Sequence, residues 1–169
     1  RNCVTDPVPP SNVIPVPATL DLDPAARLPL VFTTALHMLV GRAQIRPGQT
    51  VLVLGASSGV GIAAIQIAKL FHARVITTAG DETKLEKARA LGADHGINHY
   101  QQKISEEVRK ITHKEGVDIV IEHVGSATWE ESMKCLKPAG TLVTCGRTTG
   151  FSSSNLLACL LSRHVLICG

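Results

Sequence analysis

Apolar and polar positions along this chain alternate between short β-branched runs and longer segments of helical spacing. Thr50–Leu54 is an apolar run introduced by the turn pair Pro47-Gly48, which predicts a strand buried on both faces. After it, Val60, Ala63, Ala64, Ile67, Ala68 and Phe71 fall on one helical stripe, and Gln66, Lys69 and His72 on another. The same rhythm predicts strands at Val75–Thr78, Gly96–Asn98, Val117–Ile121, Thr141–Cys145 and His164–Cys168. Between them lie predicted helices at Glu82–Leu91, Ser105–Lys114, Thr128–Leu136 and Leu156–Leu161. Gly92 stands where a helix C-terminal glycine belongs, and Pro138-Ala139-Gly140 reads as the turn before the fifth strand. Strands and helices in strict alternation with short crossovers imply an α/β fold. Its architecture is a doubly wound, six-stranded parallel sheet of order 3-2-1-4-5-6, a Rossmann fold.

The N-terminal part has a different character. The first thirty residues hold seven of the nine prolines, so residues 1–23 read as an extended connecting segment. Asp23 is placed to cap a helix and Pro24 to occupy its first turn, which opens the Rossmann domain at residues 24–169. Pro29 is expected to break this region into two helices, the second at Leu30–Gly41, with a loop to Gly48.

Composition narrows the class. With 169 residues there is room for one domain with a sizeable core, and 44% hydrophobic against 3% aromatic content suits a sheet sandwiched by helices. A net charge of +3 gives no reason to expect nucleic acid or a membrane surface as partner. Cys3, Cys135, Cys145, Cys159 and Cys168 show no short paired spacing, which suits buried reduced thiols in a cytoplasmic protein. No leader and no membrane-spanning run is visible, and the chain reads as a piece of something longer.

The candidate chemistry lies between the first strand and its helix. Gly55-Ala-Ser-Ser-Gly-Val-Gly61 joins them, and strand, glycine loop and helix in that order can hold a phosphate. The glycines admit close backbone approach, and the free N–H groups and positive dipole end of the helix face the anion. Preference between dinucleotides depends on the end of the second strand, where an acid would favour the free ribose hydroxyls of NAD. That strand ends Thr77-Thr78-Ala79-Gly80, and Asp81 and Glu82 come later, where they serve the next helix. With Ala79 in that place no carboxylate repels a 2′-phosphate, and Lys84 lies one helical turn further, so NADP(H) is favoured over NAD(H).

From about Val13 to Gly169 the chain resembles the coenzyme domain of the medium-chain dehydrogenases and reductases, near their quinone oxidoreductase-like and alcohol dehydrogenase-like branches. The stretches that carry the resemblance are RPGQTVLVLGASSGVGIAAIQIAKLFHARVI, KLEKARALGADHGIN, GVDIVIEHVG and CLKPAGTLVTCGRTTG. It implies a six-stranded coenzyme domain and a separate catalytic domain that is absent here. Carried over by position, the diphosphate loop falls on Ser57, Ser58, Gly59, Val60 and Gly61. The discriminating residue falls on Ala79, and the neighbours of a 2′-phosphate on Gly80, Lys84 and His99. Nicotinamide neighbours fall on Thr34, Cys145, Gly146 and Arg147. Ser58 departs from the usual glycine, and His99 stands where NADP-dependent members often carry tyrosine.

The resemblance also implies hydride transfer between the nicotinamide and a carbonyl, alcohol, quinone or enone, a small-molecule substrate. Some members use a catalytic zinc, whose ligands belong to the absent domain. The seven histidines here are dispersed, and none pairs with a cysteine as a ligand set, so no metal site is expected within the chain. His123 beside Glu122 closes the fourth strand at the carboxyl edge and reads as a pocket-wall residue. In the family, dimers form by antiparallel pairing of the last strand, here His164–Cys168, which is apolar and has an edge without a partner.

Other readings fit less well. GASSGVG also matches the loop of short-chain dehydrogenases, but their Tyr-x-x-x-Lys pair is missing, because Ile104 follows Tyr100 at that spacing. A methyltransferase would want an acid where Ala79 stands. A dinucleotide-binding module without catalysis, sensor or structural, is the alternative from a different class.

Overall fold

The computed structural model describes residues 9, 13, 15–146, 148–150 and 166–168. A long helix α1, Leu22–Leu36, runs directly into one π-helical stretch, His37–Arg42. Then follow β1 Thr50–Val53, α2 Gly59–Leu70, β2 Arg74–Ala79, α3 Glu82–Ala90, β3 His95–Asn98 and α4 Ile104–Ile111. The chain continues with β4 Val117–Glu122, α5 Trp129–Cys135, β5 Leu136–Thr144 and β6 Leu166–Cys168. The six strands form one sheet of order β3-β2-β1-β4-β5-β6, and every adjacent pair is parallel. The expected doubly wound topology is thus present.

The strands alternate their side chains between two cores, as period-two geometry requires. Val51, Val53, Val75, Ile119, Ile121 and Val143 face a core completed by Ala35, Leu39, Ala64, Ile67 and Leu85 from the helices of one layer. Leu52, Leu54, Ile76, Val120 and Leu142 face the other, closed by Ile104 and Val108 of α4 and Met133 and Cys135 of α5. Because both faces are covered, the central strands are apolar throughout rather than alternating. Val51, Leu52, Val53, Val120 and Ile121 are all fully buried. Burial likewise pushes the Cys135 thiol up to about 12.

Several sequence-based expectations need correction. Pro29 lies inside α1 rather than dividing it. A proline removes one i→i−4 bond but is itself exposed here, so the helix continues on its remaining bonds. The helix also starts earlier than expected. Asp21 is its N-terminal flank without a side-chain cap, and Asp23 sits within the first turn, paired with Arg27 at 2.6 Å. The expected loop from Gly41 is helical through Arg42.

The fifth strand starts at Leu136, not Thr141. Val117 pairs with Leu136 and Ile119 with Thr141, so Lys137 to Gly140 bulge out opposite Asp118. Ala139, with φ 62°, makes the excursion, and a Cβ on Gly140 would lie 3.0 Å from the Lys137 carbonyl oxygen. The predicted turn is therefore an interruption within one strand. Cys145 is exposed and Cys168 half-buried, unlike the buried thiols expected. Cys3, Cys159, the predicted helix Leu156–Leu161, and His164 and Val165 of the last strand lie outside the described residues.

Candidate functional site

The glycine loop is shaped by three contacts that the sequence order brings together. Gly55 has φ 63°, a left-handed conformation that suits glycine, and its N–H donates to Thr78 Oγ1 at 3.1 Å. The Ala56 N–H donates to the Thr78 carbonyl at 2.8 Å, which ties the loop to the end of β2. Ser58 then caps α2, its Oγ accepting from the Gly61 N–H at 2.9 Å. The hydroxyl at the position where glycine is usual is thus an N-cap. Among the described residues the N–H groups of Gly59 and Val60 have no partner, and they are the donors left for an anion at the helix dipole's positive end. Gly61 cannot carry a side chain: an ideal Cβ would stand 2.3 Å from the Gly55 carbonyl oxygen.

At the end of β2, Ala79 is buried and pairs in register with Asn98 of β3, and its carbonyl accepts from the His99 N–H at 3.1 Å. Gly80 follows, and the ring of Tyr100 lies over it, 2.6 Å from where a Cβ would be. The Tyr100 and His99 rings meet edge-on with centroids 4.6 Å apart. Asp81 caps α3, its Oδ1 accepting the Lys84 N–H at 2.9 Å, and its other oxygen holds the Lys84 ammonium at 2.8 Å. The hydrogen bond from the ammonium holds Asp81 below the ordinary carboxylate range and Lys84 above the ordinary amine range. Burial, then the Lys84 charge, lowers the His99 pKa, which favours a neutral ring. A cleft of about 450 Å³ opens between these residues and the loop, bounded by Gly55, Thr78, His99, Tyr100, Val124 and Thr128.

The third part of the site is the end of β4. Glu122 is completely buried, and its carboxylate only accepts. Oε1 takes the N–H groups of Val124 (2.7 Å) and Gly125 (3.1 Å), and Oε2 takes the Ser132 hydroxyl at 2.6 Å. The Thr128 hydroxyl lies within reach of both oxygens, at 3.1 and 3.0 Å. The carboxylate therefore fixes the β4–α5 connection. The segment after β5 is tied onto that connection: Thr148 Oγ1 donates to the His123 carbonyl at 3.0 Å and Thr149 Oγ1 to that of Val124 at 2.8 Å.

The structure brings most of the sequence-predicted residues to one edge. Ser57, Ser58, Gly59, Val60 and Gly61 form the loop, and Ala79, Gly80, Lys84 and His99 cluster at the end of β2. Cys145 and Gly146 lie beside β4: the Cys145 N–H donates to the Glu122 carbonyl at 3.3 Å, and a Cβ on Gly146 would stand 3.5 Å from the His123 carbonyl oxygen. Thr34 is on α1, one turn beyond Val31, whose side chain sits against Gly59, and its hydroxyl donates back to Leu30. Arg147 lies outside the described residues. Sequence reasoning missed Tyr100, Thr78 and Thr148–Thr149. Tyr100 stands one residue after His99, with its ring over the side-chain-free Gly80. Among the described residues no group of three or more His, Cys, Asp or Glu side chains is placed to hold a metal ion.

A parallel sheet whose strand order reverses beside a capped glycine loop is a Rossmann fold with a crevice of the nucleotide-binding kind. The chain belongs to the zinc-binding dehydrogenase family, whose sequence model matches residues 59–168. Within it, this is a Rossmann coenzyme domain related to quinone oxidoreductase-like proteins. Over 84% of its length it is 38% identical to a 2-haloacrylate reductase from a Burkholderia species, of which it covers 43%. A crystal structure of an NAD-dependent alcohol dehydrogenase superposes with TM-score 0.91 at 42% identity, across 96% of this chain and 47% of that one. Escherichia coli quinone oxidoreductase complexed with NADPH superposes at 0.83 with 31% identity, across 90% and 47%. The chain therefore spans about half the length of the full-sized relatives it matches.

Proposed function

We propose that this chain binds a nicotinamide dinucleotide, NADP(H) in preference to NAD(H), as the coenzyme domain of a longer oxidoreductase. The observation that carries the reading is the pair of unpartnered N–H groups at Gly59 and Val60, at the carboxyl edge where the strand order reverses. Ser57 to Gly61 hold the diphosphate, and Thr34, Cys145, Gly146 and Arg147 surround the nicotinamide end. When bound, the coenzyme supplies hydride exchange at nicotinamide C4 with a carbonyl, alcohol, quinone or enone. The chain's own share is binding and orientation. The catalytic domain, and any zinc, belong to the part of the relatives' length that this chain does not span. Titration of the chain with NADPH and NADH tests the binding, and a full-length assay over quinones, enones, aldehydes and alcohols tests the chemistry. Binding of neither dinucleotide overturns the reading.

Coenzyme preference rests on Ala79 and on the Lys84–Asp81 pair. Relatives of both kinds are similar to this chain, one named NAD-dependent and one holding NADPH, so the preference is argued from the residues. No carboxylate stands at Ala79, and a 2′-phosphate would compete with Asp81 for the Lys84 ammonium. Ala79→Asp is therefore expected to lower the NADPH:NADH affinity ratio by about tenfold, roughly 1.4 kcal/mol. Lys84→Ala should weaken NADPH more than NADH. Asp81→Asn, which keeps a capping side chain and releases the lysine, should strengthen NADPH. Equal affinities of the unsubstituted chain for both dinucleotides would sink the preference.

We also propose a homodimer through the last strand. Among the described residues β6 pairs only with β5, leaving an edge of the sheet, and Leu166 is 54% exposed there. An apolar edge of this kind aggregates unless another chain covers it, and pairing across a two-fold axis lets one edge serve both subunits. Ladder N–H groups alternate in direction along a strand, so Leu166→Pro and Ile167→Pro together sample both parities. One of them should give a monomer by light scattering at micromolar concentration. A monomeric parent, or two variants that both remain dimeric, removes this edge from the assembly.

A further inference from the structure

After β5 ends at Thr144, the chain passes Cys145 and Gly146 and returns onto the β4–α5 connection at Thr148. Hydrogen bonds hold it there through Gly150. The Thr149 N–H donates to the Val124 carbonyl at 2.7 Å, and the Ser126 N–H to the Gly150 carbonyl at 3.1 Å. The Ser126 hydroxyl donates to the Thr149 carbonyl at 2.7 Å. Thr149 is the centre of the contact. Its hydroxyl donates to the Val124 carbonyl at 2.8 Å and accepts the Ala127 N–H at 3.1 Å, which uses both its proton and a lone pair. Val124 and Ala127 also line the cleft that reaches His99 and Tyr100. One side chain thus joins the wall of that cleft to the strand end carrying Cys145 and Gly146.

The two partners do not depend on Thr149 equally. The connection has its own supports, because the Glu122 carboxylate takes the N–H groups of Val124 and Gly125 and the Thr128 hydroxyl. Residues 148–150 are exposed, and among the described residues every hydrogen bond they make goes to the connection. Loss of the Thr149 hydroxyl therefore loosens the segment after β5 and leaves the wall of the cleft in place.

We propose that Thr149 is a positioning residue for the nicotinamide half of the coenzyme, fastening the segment of Cys145 to Arg147 at a fixed place relative to the adenosine half. The assignment rests on the dinucleotide-binding reading above. Thr149 acts through the residues it anchors rather than by touching the ligand. Its contribution is preorganisation: a segment already held in place loses less freedom when the ligand arrives. The adenosine half, bound at the end of β2, does not draw on it.

The test titrates the chain with ligand pairs that differ only in the nicotinamide: NADPH with 2′-phospho-ADP-ribose, and NADH with ADP-ribose. In the parent, the dinucleotide of each pair should bind more tightly. Thr149→Val exchanges the hydroxyl for a methyl of like size. It should weaken both dinucleotides by about fivefold, as for one hydrogen bond, and leave both ribose ligands within about twofold of the parent. Thr149→Ser keeps the hydroxyl and should bind all of them as the parent does. Ser126→Ala removes the bond to the Thr149 carbonyl and takes the place of the valine variant, with the same expected selectivity, if that variant does not fold. Equal weakening of a dinucleotide and its ribose partner marks a merely structural residue and overturns the assignment. A variant that binds the dinucleotides as the parent does, or a parent that gains nothing from the nicotinamide, overturns it too. Dinucleotide binding stands in each of those cases. A parent that binds neither dinucleotide removes both readings.

Discussion

Gly61→Val is expected to lose dinucleotide affinity by at least about tenfold, equivalent to about 1.4 kcal/mol, and to destabilise the fold as well. The physical cause is a collision with backbone, not with a movable side chain. An ideal Cβ on Gly61 stands 2.3 Å from the Gly55 carbonyl oxygen and 2.9 Å from Ser58 Oγ. To admit it, the loop must move away from the start of α2, breaking the Ser58 cap and shifting the N–H groups of Gly59 and Val60. Overpacking of this kind costs about 1–3 kcal/mol. Gly59→Ala is the control. Its Cβ would meet Val31 Cγ1 at 2.7 Å, the end of a side chain that can rotate, so the loss should be smaller. Urea unfolding and NADPH titration on both variants provide the measurement. A Gly61→Val protein with the parent's stability and affinity would remove the loop from the binding argument.

Glu122→Ala should be the more damaging change to stability, with a loss of about 4 kcal/mol. The side chain is wholly buried and satisfies two backbone N–H groups and the hydroxyls of Thr128 and Ser132. Removing it takes the acceptor from four donors at once, of which the Gly125 N–H and the Ser132 hydroxyl are buried, and leaves a cavity besides. Glu122→Gln keeps the volume but turns an amide N–H₂ toward those donors, so it should recover only part of the loss. The connection that Glu122 braces carries Val124 and Thr128, which border the cleft, and dinucleotide affinity should fall with stability. Chemical denaturation gives the answer directly. A midpoint shift equivalent to less than about 1 kcal/mol would mean that the carboxylate is not the brace described here.

What the sequence determined by itself is what short-range pattern encodes. Continuous β-branched runs marked the strands, the 3.6-residue stripe of Val60 to Phe71 marked α2, and the alternation of the two implied the order β3-β2-β1-β4-β5-β6. The glycine loop and the uncharged end of β2 were legible for the same reason, since both are defined by consecutive residues. Tertiary structure decided everything that depends on a partner far along the chain. Pro29 remains within α1 because one lost bond does not outweigh the rest of the helix, and β5 starts early because Leu136 finds Val117. Tyr100 covers Gly80 only because β2 and β3 are neighbours, and Asp81 takes Lys84 by a choice of side-chain conformation. Glu122 reads in sequence as one acid at a strand end. Its burial and the Ser132 donor on α5 exist only once the connection after β4 has folded back over the sheet edge.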